Sequence, residues 1–155
     1  MEIERKFLIS SLPENLEGYP VWLLEQAYLC RKPVVRVRRE ERGKEKEFIL
    51  TYKSQGMMVR EEYNLPLDEE SYVHLREKAD GRIITKKRYR MPIENELTIE
   101  LDVFEGELAG LVLAEVEFPD EEMANNWQAP EWFGREVTYE KTYHNSNLSL
   151  PDSEF

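Results

Sequence analysis

The stretch VVRVRRE, residues 34–40, decides the fold, because its apolar and charged residues alternate. Successive side chains of an extended strand point to opposite faces, so Arg36 and Arg38 share one face while Val35 and Val37 share the other. The same period of two recurs along the chain in segments rich in Val, Ile, Leu, Tyr and Thr. We predict eight strands, at residues 2–9, 25–30, 34–40, 46–53, 58–65, 82–90, 96–105 and 112–118.

Turn and helix signals separate these strands. Polar segments containing glycine, at 41–47 and 53–58, predict hairpin turns and therefore antiparallel neighbours. The clearest helix is predicted at 67–79, where Asp68 can cap the first turn and Tyr72, Leu75 and Ala79 share a face. Two further helices are predicted at 120–127 and within 139–150, and residues 151–155 are expected to fray. The prediction is a mainly β protein with a few helices.

Composition restricts the class of protein. A chain of 155 residues, 41% of them hydrophobic, is expected to form a single domain over residues 1–155. Lys and Arg number 21 against 32 Asp and Glu, and the resulting net charge of -11 argues against binding to nucleic acid or to an anionic membrane. The single Cys30 cannot form an internal disulfide, and no signal-peptide or membrane-spanning pattern is present. We therefore expect a soluble, cytoplasmic protein.

The charged faces of six strands fall into two kinds. Three strands carry cations, as the pairs Lys86 and Arg88, Arg36 and Arg38, and Lys53 with its neighbour Thr51. Three carry acids, as the pairs Glu2 and Glu4, Glu100 and Asp102, and Glu115 and Glu117. On an isolated strand such residues would simply form the solvated face. Acidic pairs that face one another destabilise a sheet unless cations compensate them, and hard divalent cations prefer oxygen ligands. Because Arg and Lys match phosphate oxygens, the combined set favours a metal-chelated polyphosphate.

A closed antiparallel barrel of eight strands would bring these faces together in a polar interior. The apolar faces would then turn outward, where the helix at 67–79 could cover some of them; we expect this of Val35, Val37, Ile49, Leu101, Val103 and Val116. The three tryptophans, Trp22, Trp127 and Trp132, are expected on the barrel exterior, with the alternative that one of them stacks on a base at a tunnel entrance. His74 and His144 are expected on the surface. Tyr28 could point inward toward phosphate or pack in the core.

An ordered set of motifs resembles the triphosphate tunnel metalloenzymes, or CYTH superfamily. The motifs are E-x-E-x-K at 2–6, RVR at 36–38, LTYK at 50–53, REE at 60–62, KKRY at 86–89, ELD at 100–102, EVEF at 115–118 and EVTYEKTYHNSNL at 136–148. In size the chain is similar to the compact bacterial, clostridial-type tripolyphosphatases of that family. The resemblance implies an eight-stranded tunnel that binds triphosphate and one or two Mg or Mn ions.

The resemblance also implies roles for individual residues. Metal ligands would be Glu2, Glu4, Asp102, Glu115 and Glu117, with Glu100 a weaker candidate. Phosphate contacts would be Lys6, Arg36, Arg38, Lys53, Lys86 and Arg88. Glu62 is expected either to act in catalysis or to hold tunnel cations, and Lys141 is a candidate catalytic residue near the tunnel mouth. Asn64 stands where many relatives carry a second acid, which predicts a less acidic site there.

The implied activity is metal-dependent hydrolysis of tripolyphosphate by in-line attack of water, without a covalent intermediate. Nucleoside triphosphates are candidate weaker substrates, and the protein is expected to be a monomer or a homodimer. No Gly-rich P-loop pattern is present to suggest another phosphate-binding fold. Two alternatives remain open: a class IV adenylyl cyclase that uses the same tunnel, and a barrel that binds polyphosphate without catalysis.

Overall fold

In the computed structural model, which describes residues 1–150, the chain forms nine strands in one antiparallel sheet. The strands are β1 (Glu2–Leu8), β2 (Val21–Arg31), β3 (Val34–Arg42), β4 (Glu45–Lys53), β5 (Val59–Arg60), β6 (Glu62–Leu67), β7 (Ile84–Pro92), β8 (Thr98–Phe104) and β9 (Val112–Glu117). The helices are α1 (Glu69–Arg76), α2 (Glu121–Asn126) and α3 (Asn145–Leu148). All eight predicted strand segments are present. The count differs because Glu61 interrupts the predicted strand at 58–65 and divides it into β5 and β6.

The sheet curls into a nearly closed barrel with the strand order β5-β1-β9-β8-β7-β2-β3-β4-β6. Its two edge strands, β5 and β6, are consecutive in sequence and are separated by Glu61 alone. β5 pairs with β1 through two residue pairs, whereas β6 pairs with β4 along its whole length. We name the two-pair junction between β1 and β5 the seam of the barrel. The predicted mainly β, antiparallel barrel is confirmed.

The turns follow the predicted pattern. β3 and β4 form a hairpin in which Arg42 lies opposite Glu45, and Gly43 between them takes a φ of 62°. This left-handed conformation costs glycine little, because glycine has no Cβ to clash with the backbone. The hairpin fixes the register of β3 and β4, and so keeps Arg36, Arg38 and Lys53 on the same face of the sheet.

Two apolar clusters lie on the outside of the barrel. One is formed by β1, β8 and β9, including Leu101 and Val116, and is covered by α2 and the segment after it, including Trp127 and Trp132. The other contains Val37 and is covered by Tyr72 of α1. The expectation that helices cover the outer apolar faces is therefore confirmed for these two regions. Within residues 1–150, no helix is long and apolar enough to cross a bilayer.

A third apolar cluster closes the barrel at one end. It contains Tyr28, Phe104 and Leu113 from three strands, together with Leu148 of α3. Tyr28 also lines the central cavity, so this cluster and α3 form the cavity floor. The burial of Tyr28, at 2% exposure, shows that both of its predicted environments occur together: the ring packs in the core and the hydroxyl reaches the cavity.

All three predicted helices are present, although each is shorter than its sequence segment. Asp68 caps α1, because its side chain accepts a hydrogen bond of 2.7 Å from the backbone N–H of Ser71. Asp120 caps α2 in the same way through Met123. The helix predicted within 139–150 is a 3-10 turn at Lys141–Tyr143 followed by α3. The predicted fraying of residues 151–155 lies outside the described residues.

One facing prediction is wrong. Ile49 was expected on the outer face, but it lines the central cavity. The reason is the strand period: Ile49 has the same parity as Thr51 and Lys53, so all three point inward, and Phe48 and Leu50 pack on the outer face instead.

Candidate active site

The barrel encloses a cavity of about 280 Å³ whose walls are mainly charged side chains. Ten of the predicted site residues line it: Glu2, Glu4, Lys6, Arg36, Arg38, Lys53, Glu62, Arg88, Glu115 and Glu117. These residues come from strands far apart in sequence, so their convergence depends on the barrel. The structure places them together, while their roles as ligands and catalysts stay predictions.

The basic wall is formed mainly by β3 and β7. Arg36 is 6% exposed and donates to the hydroxyl of Tyr28 at 3.4 Å. The Nε atoms of Arg36 and Arg38 are buried and have no hydrogen-bond partner within residues 1–150. Burial, followed by the nearby charges of Arg36 and Arg88, lowers the pKa of Arg38 to about 10, so Arg38 remains charged at neutral pH. The basic wall therefore lines the cavity with guanidinium groups that stay charged at neutral pH.

The acidic wall is formed by β1 and β9. Their register sets Glu4 directly opposite Glu117, and sets Lys6 opposite Glu115, with 3.4 Å between the Lys6 Nζ and the carboxylate. Burial opposes ionisation of Glu115, but Lys6 and Arg88 hold its pKa well below the usual range. Burial and neighbouring acids raise the pKa of Glu4 and of Glu117. The cations near Glu115 thus outweigh its burial, whereas those near Glu4 and Glu117 do not.

Lys53 connects β4 to the acids of β1 and β6. Its Nζ lies 3.0 Å from Glu2 and 3.3 Å from Glu62. Burial and the charge of Glu4 raise the pKa of Glu2 to about 8. Burial acts against ionisation of Glu62 as well, but a hydrogen bond from Glu2 and the charge of Lys53 lower its pKa to about 2. At neutral pH, Glu62 is therefore an anion beside a protonated Glu2.

Asn64 supports Glu62 on the inner face of β6. Its amide donates to the Glu62 carboxylate at 3.1 Å and accepts a hydrogen bond of 2.6 Å from Thr51. The amide of Asn64 therefore holds the Glu62 carboxylate without adding a charge of its own.

Lys86 and Asp102 lie together in the barrel wall, outside the residues that line the cavity. The Asp102 carboxylate is fully buried and receives two bonds from Arg88, at 2.7 and 2.9 Å, and an ion pair from Lys86 at 2.7 Å. Burial lowers the pKa of Lys86 to about 8, against the opposing charge of Asp102. In this arrangement Asp102 anchors the two cations, and its predicted role as a metal ligand stays a prediction.

Lys141 is also apart from the main cavity. It lines a second cavity of about 210 Å³, shared with residues of the loop after β4 and with His144. Glu100, the weaker metal candidate, does line the main cavity and lies 3.5 Å from Arg88.

Sequence reasoning missed several cavity residues. Glu40 and Arg42 extend the inward face of Arg36 and Arg38, and the same period of two could have found them. Arg60 belongs to the REE motif and lies 3.7 Å from Glu2 and 3.6 Å from Glu4. These three residues add two cations and one anion to the site.

Two expectations about the surface are wrong. Trp22 lines the cavity instead of covering the exterior, because it lies opposite Arg88 on the inner face of β2. His144 also lines the cavity and is partly buried. No periodic signal marks His144, because it lies between a 3-10 turn and α3. Burial and the charge of Lys6 lower the pKa of His144 to about 4, so its imidazole is neutral at pH 7.

The acidic wall has the donor set for a hard divalent cation. Burial and neighbouring acids raise the pKa values of Glu2, Glu4 and Glu117, so a further cation would stabilise their charged forms. Their oxygens are the ligands that hard divalent ions prefer. Nowhere in residues 1–150 do three carboxylate, imidazole or thiol groups already lie at the spacing needed to hold a cation. Arg60 and Lys53 currently pair with these acids, so a cation would have to draw the carboxylates together.

These features define a class of protein: a nearly closed antiparallel barrel whose interior is lined by acidic and basic side chains. Residues 1–150 match the family model of the CYTH domain. The chain is 39% identical over 150 residues to an inorganic triphosphatase of Nitrosomonas europaea, covering 96% of this chain and 97% of that one. It is 38% identical over 153 residues to an inorganic triphosphatase of Acetivibrio thermocellus, covering 95% and 92%.

A solved structure agrees with these matches. The crystal structure of an inorganic triphosphatase superposes with a TM-score of 0.69 at 35% identity, over 99% of this chain and 97% of that one. The chain therefore belongs to the CYTH domain family, and the resemblance seen in its motifs is confirmed.

Proposed function

We propose that this protein is an inorganic triphosphatase, a single-domain enzyme that hydrolyses tripolyphosphate with the help of a divalent metal. One observation carries the proposal: Arg36, Arg38 and Arg88 line the same cavity as the carboxylates of the acidic wall. A phosphate chain would supply acceptors to the guanidinium groups, and a divalent cation would supply charge to the acids. The similarity to two inorganic triphosphatases supports the same assignment.

The basic wall would bind and orient the substrate. Arg36, Arg38 and Arg88 lie on two strands, and their planar groups can each contact two phosphate oxygens. Asp102 holds Arg88 by two hydrogen bonds, so this guanidinium is oriented before substrate arrives. Preorganised cations in a buried site stabilise the charge that shifts between oxygens during phosphoryl transfer.

The acidic wall would hold the metal. Glu2, Glu4, Glu115 and Glu117 are the residues we assign to it, and Arg60 would move from the acids to a phosphate oxygen. Bound Mg²⁺ or Mn²⁺ would neutralise phosphate charge and polarise the bond that breaks. We propose that one or two ions bind, each of them Mg²⁺ or Mn²⁺.

Glu62 and Lys53 would act beside the attacked phosphorus. Glu62 is ionised at neutral pH and is fixed by Asn64 and Lys53, so it can accept a hydrogen bond from a water molecule. In-line attack by that water would release orthophosphate and pyrophosphate. Lys86 would act indirectly, by pairing with Asp102, which holds Arg88. Lys141 would contact anions in the second cavity.

The cavity size favours inorganic triphosphate over nucleotides. Its volume of about 280 Å³ lies just below the range of about 300–1,000 Å³ for small-molecule sites. Nucleoside triphosphates would bind with the nucleoside outside the cavity and serve as weaker substrates. The adenylyl cyclase alternative needs the ribose next to the α-phosphate, inside the charged region.

Product analysis tests the proposal. Purified protein is incubated with tripolyphosphate or ATP, with Mg²⁺, with Mn²⁺ and with chelator. We expect metal-dependent release of orthophosphate, faster from tripolyphosphate than from ATP. Pyrophosphate and cyclic AMP from ATP would instead support the cyclase. Intact substrates after hours with either metal would support a binding protein without catalysis.

A further inference from the structure

Trp22 lies between two guanidinium groups at one end of the cavity. The Cζ atom of Arg42 is 3.7 Å from the centroid of the Trp22 ring, and that of Arg90 is 4.7 Å away. β2, which carries Trp22, lies between β3 and β7, which carry Arg42 and Arg90. The two cations therefore reach the indole from strands on either side of it.

Two carboxylates connect these cations to the basic wall. Glu40 is 2% exposed and pairs with Arg38 at 2.6 Å and with Arg42 at 2.5 Å. Glu100 pairs with Arg88 at 3.5 Å and with Arg90 at 3.9 Å. Asp102 also binds Arg88, and the exposed Glu47 lies 3.4 Å from Arg42, so four carboxylates balance these four guanidinium groups. What distinguishes this end of the cavity is therefore where its cations are held, and not an excess of charge.

This end is opposite the floor formed by α3. Arg42 and Arg90 have side chains that are 34% and 37% exposed, whereas Arg36 and Arg88 deeper in the cavity are almost fully buried. We call the set Trp22, Arg42 and Arg90 the collar. A substrate that enters here meets the collar before it meets the basic wall.

We propose that Trp22 is a positioning residue: it holds Arg42 and Arg90 at the mouth of the cavity, where they capture the incoming polyanion. The inference rests on the proposed triphosphatase function and concerns how the substrate is selected. A flat indole attracts guanidinium groups through its π face and keeps two long, mobile side chains in place. Electrostatic capture by fixed charges increases the rate of productive encounter, so the collar contributes to kcat/KM.

The same geometry disfavours recognition of a nucleobase. Bases are commonly bound by stacking on aromatic side chains, but guanidinium groups already contact the Trp22 indole. The collar therefore recognises phosphate charge, which inorganic and nucleoside triphosphates share, and adds nothing for the base.

The test compares Trp22→Leu, which removes the π face, with Trp22→Phe, which keeps one. For Trp22→Leu we expect the KM for tripolyphosphate to rise about fivefold to tenfold, with kcat changed by less than about twofold. Trp22→Phe should restore most of the loss. The decrease of kcat/KM with added salt should be less steep in Trp22→Leu, because its cations are no longer fixed. Trp132→Leu is the control, since Trp132 packs on the outer apolar cluster and should leave KM unchanged.

Measurements with ATP distinguish a collar that contacts phosphate from a site that stacks on a base. If Trp22 positions cations, Trp22→Leu should raise the KM for ATP, or its inhibition constant as a competing ligand, by the same factor as the KM for tripolyphosphate. A loss confined to ATP would overturn the proposal, and so would an unchanged KM or a fall in kcat alone in a folded variant.

Titration calorimetry with tripolyphosphate in the presence of chelator keeps this test independent of catalysis. Weaker binding to Trp22→Leu than to the wild type supports the collar even if the wild-type protein proves inactive, which would refute the triphosphatase alone. Equal binding refutes the collar.

Discussion

At the scale of single residues, the acidic wall makes the sharpest prediction. Glu4 and Glu117 lie opposite each other, and burial together with neighbouring acids raises the pKa of each. Replacing either with Gln should lower kcat for tripolyphosphate by on the order of 100-fold, since a charge-stabilising group is lost. Glu107→Gln, an exposed acid outside the cavity, is the matched control and should retain activity. The measurement is orthophosphate release at saturating metal. Activity near the wild-type level in Glu4→Gln would refute its assignment as a ligand.

Neighbouring arginines test which face of β3 is functional. Arg38 lines the cavity, whereas Arg39 pairs with Glu25 and Glu41 on the outer face. Arg38→Ala should reduce kcat/KM by at least about tenfold, because it removes a phosphate contact, and Arg39→Ala should change it by less than about twofold. Equal losses in steady-state assays would show that the assignment of the two faces is wrong.

The sequence alone could identify most of the charged residues that line the cavity. A period of two assigned Arg36, Arg38, Glu2 and Glu4 to inward faces, because each strand alternates without interruption there. It did not reveal that Asp102 turns to Arg88 and Lys86 inside the barrel wall, since that choice depends on distances between strands. Trp22 was missed because the strand predicted there began at residue 25, three residues after it. His144 was missed because it lies outside the strands, where no periodic signal exists.

At the scale of elements, α1 should affect stability without affecting catalysis. It covers the outer apolar cluster through Tyr72, and Asp68 caps its first turn. Asp68→Ala should lower the free energy of unfolding by about 1 kcal/mol, the usual cost of a lost N-cap. Glu69→Ala, one residue into the helix, is the control. Chemical denaturation measures the first effect, and an unchanged KM for tripolyphosphate would confirm that α1 acts outside the site.

Strand positions were predictable, whereas the division of one strand was not. Residues 58–65 alternate as a single strand, but Glu61 separates a part that pairs with β1 from a part that pairs with β4. Closure of the barrel imposes this exchange of partners, because the strand must bridge both edges of the sheet. Local sequence carries no information about which neighbour lies across that gap.

At the scale of the whole molecule, the buried acids make stability depend on pH. The folded-state pKa of Glu2 is about 8, above its ordinary 4.5, because burial favours the protonated form. Its contribution to stability is therefore complete below pH 4.5 and is lost as the pH rises to 8. His144 has its pKa lowered to about 4 from 6.5, so its contribution is present above pH 6.5 and is lost as the pH falls toward 4.

Between pH 6.5 and 8, then, the Tm of the metal-free protein should fall, and Glu2→Gln should reduce that slope. Differential scanning calorimetry in chelator would show both effects. Adding Mg²⁺ with a non-hydrolysable tripolyphosphate analogue should raise Tm by mass action, with a larger gain at pH 8, where less proton must be released. A Tm that rises from pH 6.5 to 8 in chelator would contradict the pH argument.

The seam gives the barrel an unusual relation to its ligand. Two residue pairs hold β1 to β5, and one of them joins Glu2 to Arg60. Lys53 of β4 pairs with the same Glu2, and Glu62 of β6 pairs in turn with Lys53. The side chains that would bind ions in the cavity therefore also lie at the junction of β1 and β5. Ions bound to Glu2 and Arg60 would stabilise this junction, and without them the barrel would open at the seam first. Amide hydrogens of β5 should exchange faster than those of β3 in the empty protein and slow down selectively once metal and analogue are bound.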